Sequence, residues 1–368
     1  MTEAVARIEA ELFRLGLHGL QRLSSSSVTE LRALAQTAHN AGLILLERRL
    51  DLLATLAERY LDRDPLFTSP GWTGALNGTW LRARATAARL STATSLAALR
   101  PLVGEARRTY HAVPHPMRVE ALTARGWVSD TGFVGVTVTF GEPGGQGGLV
   151  TASNARPTLH FGNDPRELLN VWASDTLPIS VGDLAHGAFE LHNARRSDDG
   201  RLSLHRELVT RNAPSRGLEP WEPSAVPAFA ELLDLLRAAD VDPLTAHVPP
   251  LATLRPHAWG PLTFDRLGAY ASATLTDDTG AAVTLAAPLR PENNHLLDVL
   301  DAMLGPQRTF PLPDALVVEV RIARRRLEVF PLTALYARPV ELEGRARQPV
   351  HSVHLTLEAV RGTLRRQR

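Results

Sequence analysis

Arginine supplies every basic side chain of this sequence other than histidine, and it clusters in a predicted hairpin of the second half. All 40 Lys and Arg positions are arginine. Arg321, Arg324, Arg325 and Arg326 fall within six consecutive positions. A guanidinium group is a planar fork of N–H donors that fits phosphate oxygens through paired hydrogen bonds. The cluster therefore indicates contact with phosphate groups. Alternatively, these arginines lie in a turn and only prevent the exposed strand edge from pairing with another chain.

A second set of charged residues flanks the segment 197–200, Ser-Asp-Asp-Gly, whose Asp-Gly pair is typical of a tight turn. A hairpin centred there would place residues of one type opposite each other on one face, in the pairs Glu190–Glu207, His192–His205 and Arg196–Arg201. Like charges directly opposite each other are unfavourable. This face is therefore either well solvated or it binds a partner. Arg195, on the other face, lies beside the same turn.

The same predicted hairpin contains residue types that bind divalent metals. Glu190, His192, His205 and Glu207 would together suit zinc or a similar ion. A slip of one residue in strand register would separate these side chains. The chain has no cysteine, which excludes thiolate sites, disulfides and iron–sulfur clusters. We therefore expect no metal and no other cofactor, and a metal site on this face remains an alternative.

Aromatic residues near these clusters are candidates for stacking on nucleobases. The segment 133–140, FVGVTVTF, alternates so that Phe133 lies on the face opposite Val134 and Phe140. The valine-rich face predicts a core, which leaves Phe133 facing a ligand. Trp127 and Tyr270 are further candidates, with burial in a core as the alternative. The candidate nucleic-acid-binding residues are Trp127, Phe133, Arg195, Arg196, Arg201, Tyr270, Arg321, Arg324, Arg325 and Arg326.

No motif with a catalytic mechanism is evident in the sequence. The glycine-rich segment 141–148 lacks the pattern of a phosphate-binding loop, and the chain has no lysine for one. The serine run 24–27 lacks the G-x-S-x-G pattern, and His351 and His354 lack the H-E-x-x-H pattern. We therefore name no catalytic residue and expect a protein that is not an enzyme.

Three regions of different composition must position these residues. Residues 1–108 are rich in Ala, Leu, Arg and Glu, with apolar residues at helical spacing, which predicts a helical bundle. Pro114 and Pro116 end that pattern, and Val, Thr, Gly and Phe prevail after them. A proline-rich break at 212–227 then divides the β-rich part into two segments.

Residues 117–210 and 250–337 show the same order of predicted elements, namely three strands, a helix and a final hairpin. This order resembles that of the OB-fold, a five-stranded Greek-key barrel with a helix between its third and fourth strands. The resemblance implies single-strand binding by stacking above a basic groove. Other small barrels with one inserted helix would show the same order.

The predicted fold class is therefore α+β, with an N-terminal helical bundle followed by two OB-like β-barrels, each in the order β-β-β-α-β-β. The predicted divisions are a helical domain at 1–108, barrels at 117–210 and 250–337, a linker with a helix at 211–249, and an Arg-rich C-terminal segment at 338–368.

Composition limits the class of function. A net charge of +1 with 21% charged residues excludes a polyelectrolyte. No apolar run reaches the roughly 20 residues that a membrane helix needs, and the acidic, amphipathic first residues do not form a signal peptide. With no cysteine in the chain, these features favour a cytoplasmic protein without a membrane partner.

We expect a non-enzymatic nucleic-acid-binding protein that holds single-stranded DNA or RNA by Arg–phosphate contacts and aromatic stacking on tandem OB-like barrels. The alternative is a protein-interaction or scaffold subunit of a bacterial multiprotein assembly, in which the barrels bind a protein partner. The arginine clusters and the duplication favour the first, whereas the near-neutral net charge favours the second. A homo-oligomer is compatible with both.

Overall fold

The computed structural model describes residues 1–65, 67–92, 99–104, 109–129, 132–142, 148–174, 177–214, 228–238, 250–289, 293–340 and 350–358. The described residues up to 104 belong to one compact unit, and those from 109 onwards belong to a second. Both predicted barrel segments therefore lie in the second unit. Parts of the predicted linker, of the glycine-rich loop and of the Arg-rich C-terminal segment fall outside the described residues.

The first unit is helical, as its composition predicts. Its helices are α1 (Thr2–His18), α2 (Ser25–Asn40), α3 (Ile44–Leu61), α4 (Ser69–Leu90) and α5 (Arg100–Val103). Each of the longer helices buries a stripe of apolar residues at three- and four-residue spacing. In α3 this stripe includes Leu46, Leu50 and Leu53, and it shares one core with Trp72 of α4. Trp72 is buried, whereas Trp80 is only partly buried.

The first half of the second unit is built around an antiparallel sheet. In chain order its elements are β1 (Tyr110–Ala112), β2 (Met117–Val128), β3 (Phe133–Gly141), β4 (Leu149–Pro157), α6 (Thr158–Phe161), β5 (Trp172–Ser174), β6 (Leu177–Ser180), α7 (Val181–His186), β7 (Ala188–His192), β8 (Arg195–Ser197) and β9 (Val209–Asn212). The strand order of the main sheet is β4-β3-β2-β7-β9. As the alternation predicts, Val134, Val136, Val138 and Phe140 of β3 are buried in its core.

The predicted register of the hairpin around residues 197–200 is wrong, and its Arg196–Arg201 pair is not formed. Next to the turn, Arg196 pairs with Leu202. Asn193 then adopts a left-handed conformation, with φ of 56°, which separates β7 from β8. Farther along, β7 pairs with β9, so that Glu190 lies opposite Arg211 and not opposite a glutamate. The chain is redirected at Asn193 because asparagine tolerates positive φ better than most residues.

The metal site that required this register is therefore not formed. Glu190 and His192 contact each other, with 2.5 Å between Oε1 and Nε2. The His205 ring instead contacts the main-chain oxygen of Asn193, and Glu207 pairs with Arg195 at 2.8 Å. Each potential ligand thus has a local partner of its own.

The second half forms a larger, strongly curved sheet. In chain order its elements are α8 (Leu232–Ala238), β10 (Leu251–Leu254), β11 (Ala258–Trp259), β12 (Thr263–Asp265), β13 (Tyr270–Thr276), β14 (Ala282–Pro288), α9 (Asn294–Leu304), β15 (Ala315–Ala323), β16 (Arg326–Val340) and β17 (Val350–His354). The main strand order is β10-β15-β16-β14-β13-β11, with β12 beside β13 and β17 beside β16. The pairing of β14 with β16 is parallel, and the other pairings are antiparallel.

The curvature encloses an apolar core. Alternate residues of β13 and β14, including Leu275 and Leu285, point to this core. Leu300 of α9 and Phe229, which precedes α8, close it from other sides. Strands β10 and β11 lie at opposite ends of the strand order, yet only residues 255–257 separate them in the chain.

The expected mixed α+β class is confirmed, with a helical region followed by mostly β-structure. The expectation of two complete OB-like barrels stays a prediction. No helix in the part of the chain that the structure describes is long and apolar enough to cross a membrane.

Candidate nucleic-acid interface

One face of the second sheet carries a row of polar side chains whose position follows from strand register. Thr274 of β13 lies opposite Thr284 of β14. Thr284 lies beside Glu328 of β16, and Glu328 lies opposite Arg321 of β15. The strand neighbours of Thr274 and Thr284 belong to the apolar core, because side chains alternate across a strand. Val320 and Val329, next to Arg321 and Glu328, belong to the same core. The sequence pattern alone could not place these four residues in one row, because they come from four separate strands.

A cavity of about 450 Å³ opens on this face. Its wall includes Tyr270 and Ser272 near the start of β13, Thr284, Glu328, Arg324 of the β15–β16 turn, and Arg326 at the start of β16. The cavity thus brings together an aromatic ring, hydroxyl groups, a carboxylate and guanidinium groups. Among the sequence-predicted site residues, Tyr270, Arg324 and Arg326 meet here.

The turn between β15 and β16 is conformationally strained. Ala323 pairs with Arg326, which leaves Arg324 and Arg325 as a two-residue loop. Both loop residues have positive φ, 51° and 62°. This geometry favours Asn-Gly, and other L-residues in the left-handed region cost about 1–2 kcal/mol each. The chain has arginine at both loop positions, although this backbone geometry favours asparagine and glycine.

Arg324 folds back over the cavity. Its Cζ lies 3.2 Å from the centre of the Tyr270 ring. Its Nε and Nη2 both donate to Oε1 of Glu328, at 3.0 and 2.7 Å. Glu328 is only 2% exposed, whereas the Arg324 side chain is 39% exposed, so the pair joins a buried carboxylate to a guanidinium at the surface. The side chains of Arg325 and Arg326 are exposed.

A second set of charges continues the face beyond the cavity. Arg321 donates from Nη2 to the main-chain oxygen of Ala286, and its guanidinium lies 5.2 Å from the centre of the Phe330 ring. Burial lowers the pKa of Arg321 below its ordinary value. Arg125 of β2 lies 5.1 Å from the same ring, and its Nη1 donates to Oε1 of Glu319 at 2.6 Å.

Arg125, Glu319, Glu328 and Phe330 were missed by the sequence analysis. Arg125 precedes Trp127 by two positions in β2, so that alternation places both on one face. This spacing could have identified Arg125 as a candidate site residue. The partner residues of Arg125 lie about 200 positions away, and no local pattern connects them.

Buried polar contacts place Arg125 beside the second sheet. Oγ1 of Thr333 donates to Oγ1 of Thr123 at 2.8 Å, and the amide of Ala124 donates to Nδ1 of His354 at 3.3 Å. His354 contacts the oxygen of Ala185 through Nε2. These contacts fix β2 against β16 and β17, and thereby join the polar faces of the two sheets.

The outer face of the first sheet holds the predicted aromatic residues. The Trp127 ring lies directly over Gly135, where a Cβ atom would overlap it. Trp127 Nε1 donates to Oγ1 of Thr137 at 3.0 Å, which fixes the ring plane. Phe133 begins β3 and is 43% exposed. A planar indole held flat across a strand is a suitable surface for a stacked base.

The remaining predicted arginines surround the turn at residues 198–200. Arg195 pairs with Glu207, and Arg196 donates from Nη1 to Glu142 at 3.2 Å. Arg201 forms a parallel bridge with Thr151 of β4. The structure thus divides the predicted site residues into the cavity and turn of the second sheet, the aromatic pair of the first sheet, and this turn.

No family model matches the chain, and no curated protein matches it. Among solved structures, the chain is similar to one from a replication protein A heterotrimer bound to ssDNA, with 11% sequence identity and a TM-score of 0.29. The match covers 60% of this chain and 47% of that chain, so this chain spans about half the length of that neighbour. A TM-score at this level establishes no shared fold.

Proposed function

We propose that this protein binds single-stranded nucleic acid and is not an enzyme. The observation that carries this proposal is the strained turn of Arg324 and Arg325 beside an aromatic cavity. Strained backbone conformations cluster at ligand-binding and other functional sites. Proteins that bind single strands of any sequence combine positively charged groups, which attract the backbone, with aromatic rings, on which the bases stack.

The finer architecture that we propose is an OB-like barrel in each half of the second unit. In the second half, α9 lies between β14 and β15, and β14 runs parallel to β16. With β10 and β11 as two parts of one interrupted strand, the strand order forms a closed cycle. In the first half, the bridge between Thr151 and Arg201 supplies the corresponding parallel contact. In such barrels the second and third strands and the final hairpin form the ligand face.

Single strands fit this face better than duplexes. The Trp127 and Tyr270 rings can stack only on bases that are not already stacked within a duplex. Phosphate contacts by Arg325 and Arg326 would add affinity with little sequence information. The near-neutral net charge of the chain does not oppose this, because screening confines the effect of distant charges to about 10 Å at 0.1 M salt.

The test is a binding titration of labelled single-stranded and duplex DNA and RNA at several salt concentrations. Single strands should bind more tightly than duplexes. The double variant Arg325→Ala/Arg326→Ala should lower the slope of log affinity against log salt by about 1.4, because each phosphate contact on a single strand contributes about 0.7. The control Arg7→Ala/Arg22→Ala removes the same charge from exposed positions of the first unit and should leave the slope unchanged.

A protein-interaction function is the second candidate. It is favoured by exposed apolar residues beside the cavity strands, namely Phe264 and Leu267, which lie between β11 and β13, and Ile322 of β15. A parent protein that binds no nucleic acid even at low salt would contradict the first proposal and leave this one.

A further inference from the structure

Glu328 is a buried carboxylate that is only half satisfied. Its Oε1 accepts both donors of Arg324, whereas its Oε2 has no hydrogen-bond partner among the described residues. The side chain is 2% exposed and borders the cavity. Arg321 lies opposite Glu328 and attracts its charge, but it donates no hydrogen bond to Oε2. Burying a carboxylate oxygen without a donor is costly, so a ligand that supplies the missing donor would remove this cost.

Arg324 shows which kind of ligand fits. Its guanidinium is a planar group that lies over the Tyr270 ring and offers two N–H donors to one carboxylate. The Watson–Crick edge of guanine has the same features, because it is planar and carries N1–H and N2–H side by side. Adenine and cytosine place a ring acceptor beside their amino group, and the N3–H of uracil or thymine lies between two carbonyl oxygens.

We propose that the cavity is a guanine-selective subsite, in which the base stacks on Tyr270 and donates N1–H and N2–H to Glu328. In the free protein, the Arg324 side chain occupies this position. When guanine enters, Arg324 leaves the carboxylate and becomes available to a phosphate of the same strand. This inference rests on the proposed function and adds base selectivity to one position of the bound strand.

The primary test compares oligothymidylates that carry one central guanine, hypoxanthine, adenine or thymine. Hypoxanthine lacks only the N2 amino group of guanine, so the pair isolates that donor. The guanine strand should bind about tenfold more tightly than the hypoxanthine strand, which is within the range of discrimination for a good bidentate contact. This comparison uses the unaltered protein and does not depend on the folding of a variant.

Variants then identify the residue responsible. Glu328→Gln should reduce the guanine preference to less than about twofold while strands of all four kinds still bind. The control Glu120→Gln changes a buried carboxylate of the first sheet and should keep the preference. Arg324→Ala should also keep it, because Glu328 reads the base. A preference that is lost in Arg324→Ala but kept in Glu328→Gln would overturn the inference and assign recognition to the arginine.

The possible failures are distinguishable. If all four strands bind equally, the base-selective subsite is wrong, whereas the single-strand function stands. If no strand binds at low salt, the proposed function itself fails. A guanine strand that binds more tightly than thymine but no more tightly than hypoxanthine also contradicts the inference, because the N2 donor is then unused.

Discussion

Replacing Arg325 with glycine should stabilise the protein and weaken nucleic-acid binding at the same time. Arg325 occupies the second loop position of the β15–β16 turn with φ of 62°. Removing its Cβ relieves about 1–2 kcal/mol of left-handed strain. The greater freedom of glycine in the unfolded chain offsets about 0.5–1 kcal/mol of this gain. The free energy of unfolding should therefore rise by about 0.5–1 kcal/mol.

Arg325 is suited to this test because its side chain has no hydrogen bond or ion pair among the described residues. The matched variant Arg325→Ala removes the same charge but retains Cβ, and therefore the strain. Urea unfolding should show a higher midpoint for Arg325→Gly than for Arg325→Ala, with the same m-value for both. In binding titrations, both variants should lower the salt slope by about 0.7.

The two readouts refute different parts of the reasoning. Equal stability of the glycine and alanine variants would show that the turn is not strained. An unchanged salt slope in both variants, with the fold intact, would remove Arg325 from the interface. A more stable glycine variant with unimpaired binding would show that the strained arginine at position 325 does not contribute to binding.

Three further outcomes follow from single contacts. Trp72→Ala should lower the free energy of unfolding by about 3–5 kcal/mol in urea titrations, because it leaves a cavity in the helical core. Asp277 accepts from the amides of Phe229, Thr279 and Ala281, and its pKa is lowered, chiefly by the Phe229 amide. Its stabilising contribution should therefore be present at neutral pH and be lost as pH falls below about 3.9, and Asp277→Asn should remove this pH dependence in unfolding titrations. Gly135→Ala should displace the Trp127 ring and weaken single-strand binding in anisotropy titrations, whereas Gly74→Ala, at an exposed and unobstructed position, should not.

Local patterns predicted those features that depend on a few neighbouring residues. The alternation of residues 133–140 correctly assigned the buried face of β3, because a period of two leaves only one way to bury four apolar side chains. Helical spacing likewise identified the first unit. The sequence predicted a hairpin here, and residues 324–325 form the turn between its two strands. The arginines of this turn were named as candidate site residues only because guanidinium groups bind phosphate.

Features that depend on distant residues could not be predicted in this way. The left-handed Asn193 ends β7 and allows β9 to replace the expected partner strand. Nothing in the surrounding residues distinguishes this asparagine from one within a continuous strand. The ion pair of Arg125 with Glu319 likewise requires β2 to pack beside β15 and β16, and this packing depends on the buried contacts of Thr123 and His354.

The carboxylates on the polar face explain how a candidate interface rich in arginine can belong to a chain of near-neutral charge. Glu319 and Glu328 are buried and hold Arg125 and Arg324 against aromatic rings. Because Glu319 already orders Arg125, a phosphate contact by Arg125 would cost less side-chain entropy. The same pairing lowers the field available to phosphates, so that Arg325 and Arg326 carry most of the salt-dependent attraction. The affinity should therefore depend less on salt than the number of arginines on this face suggests. Most of the gain in affinity should come from a base that takes the place of the Arg324 guanidinium beside Glu328.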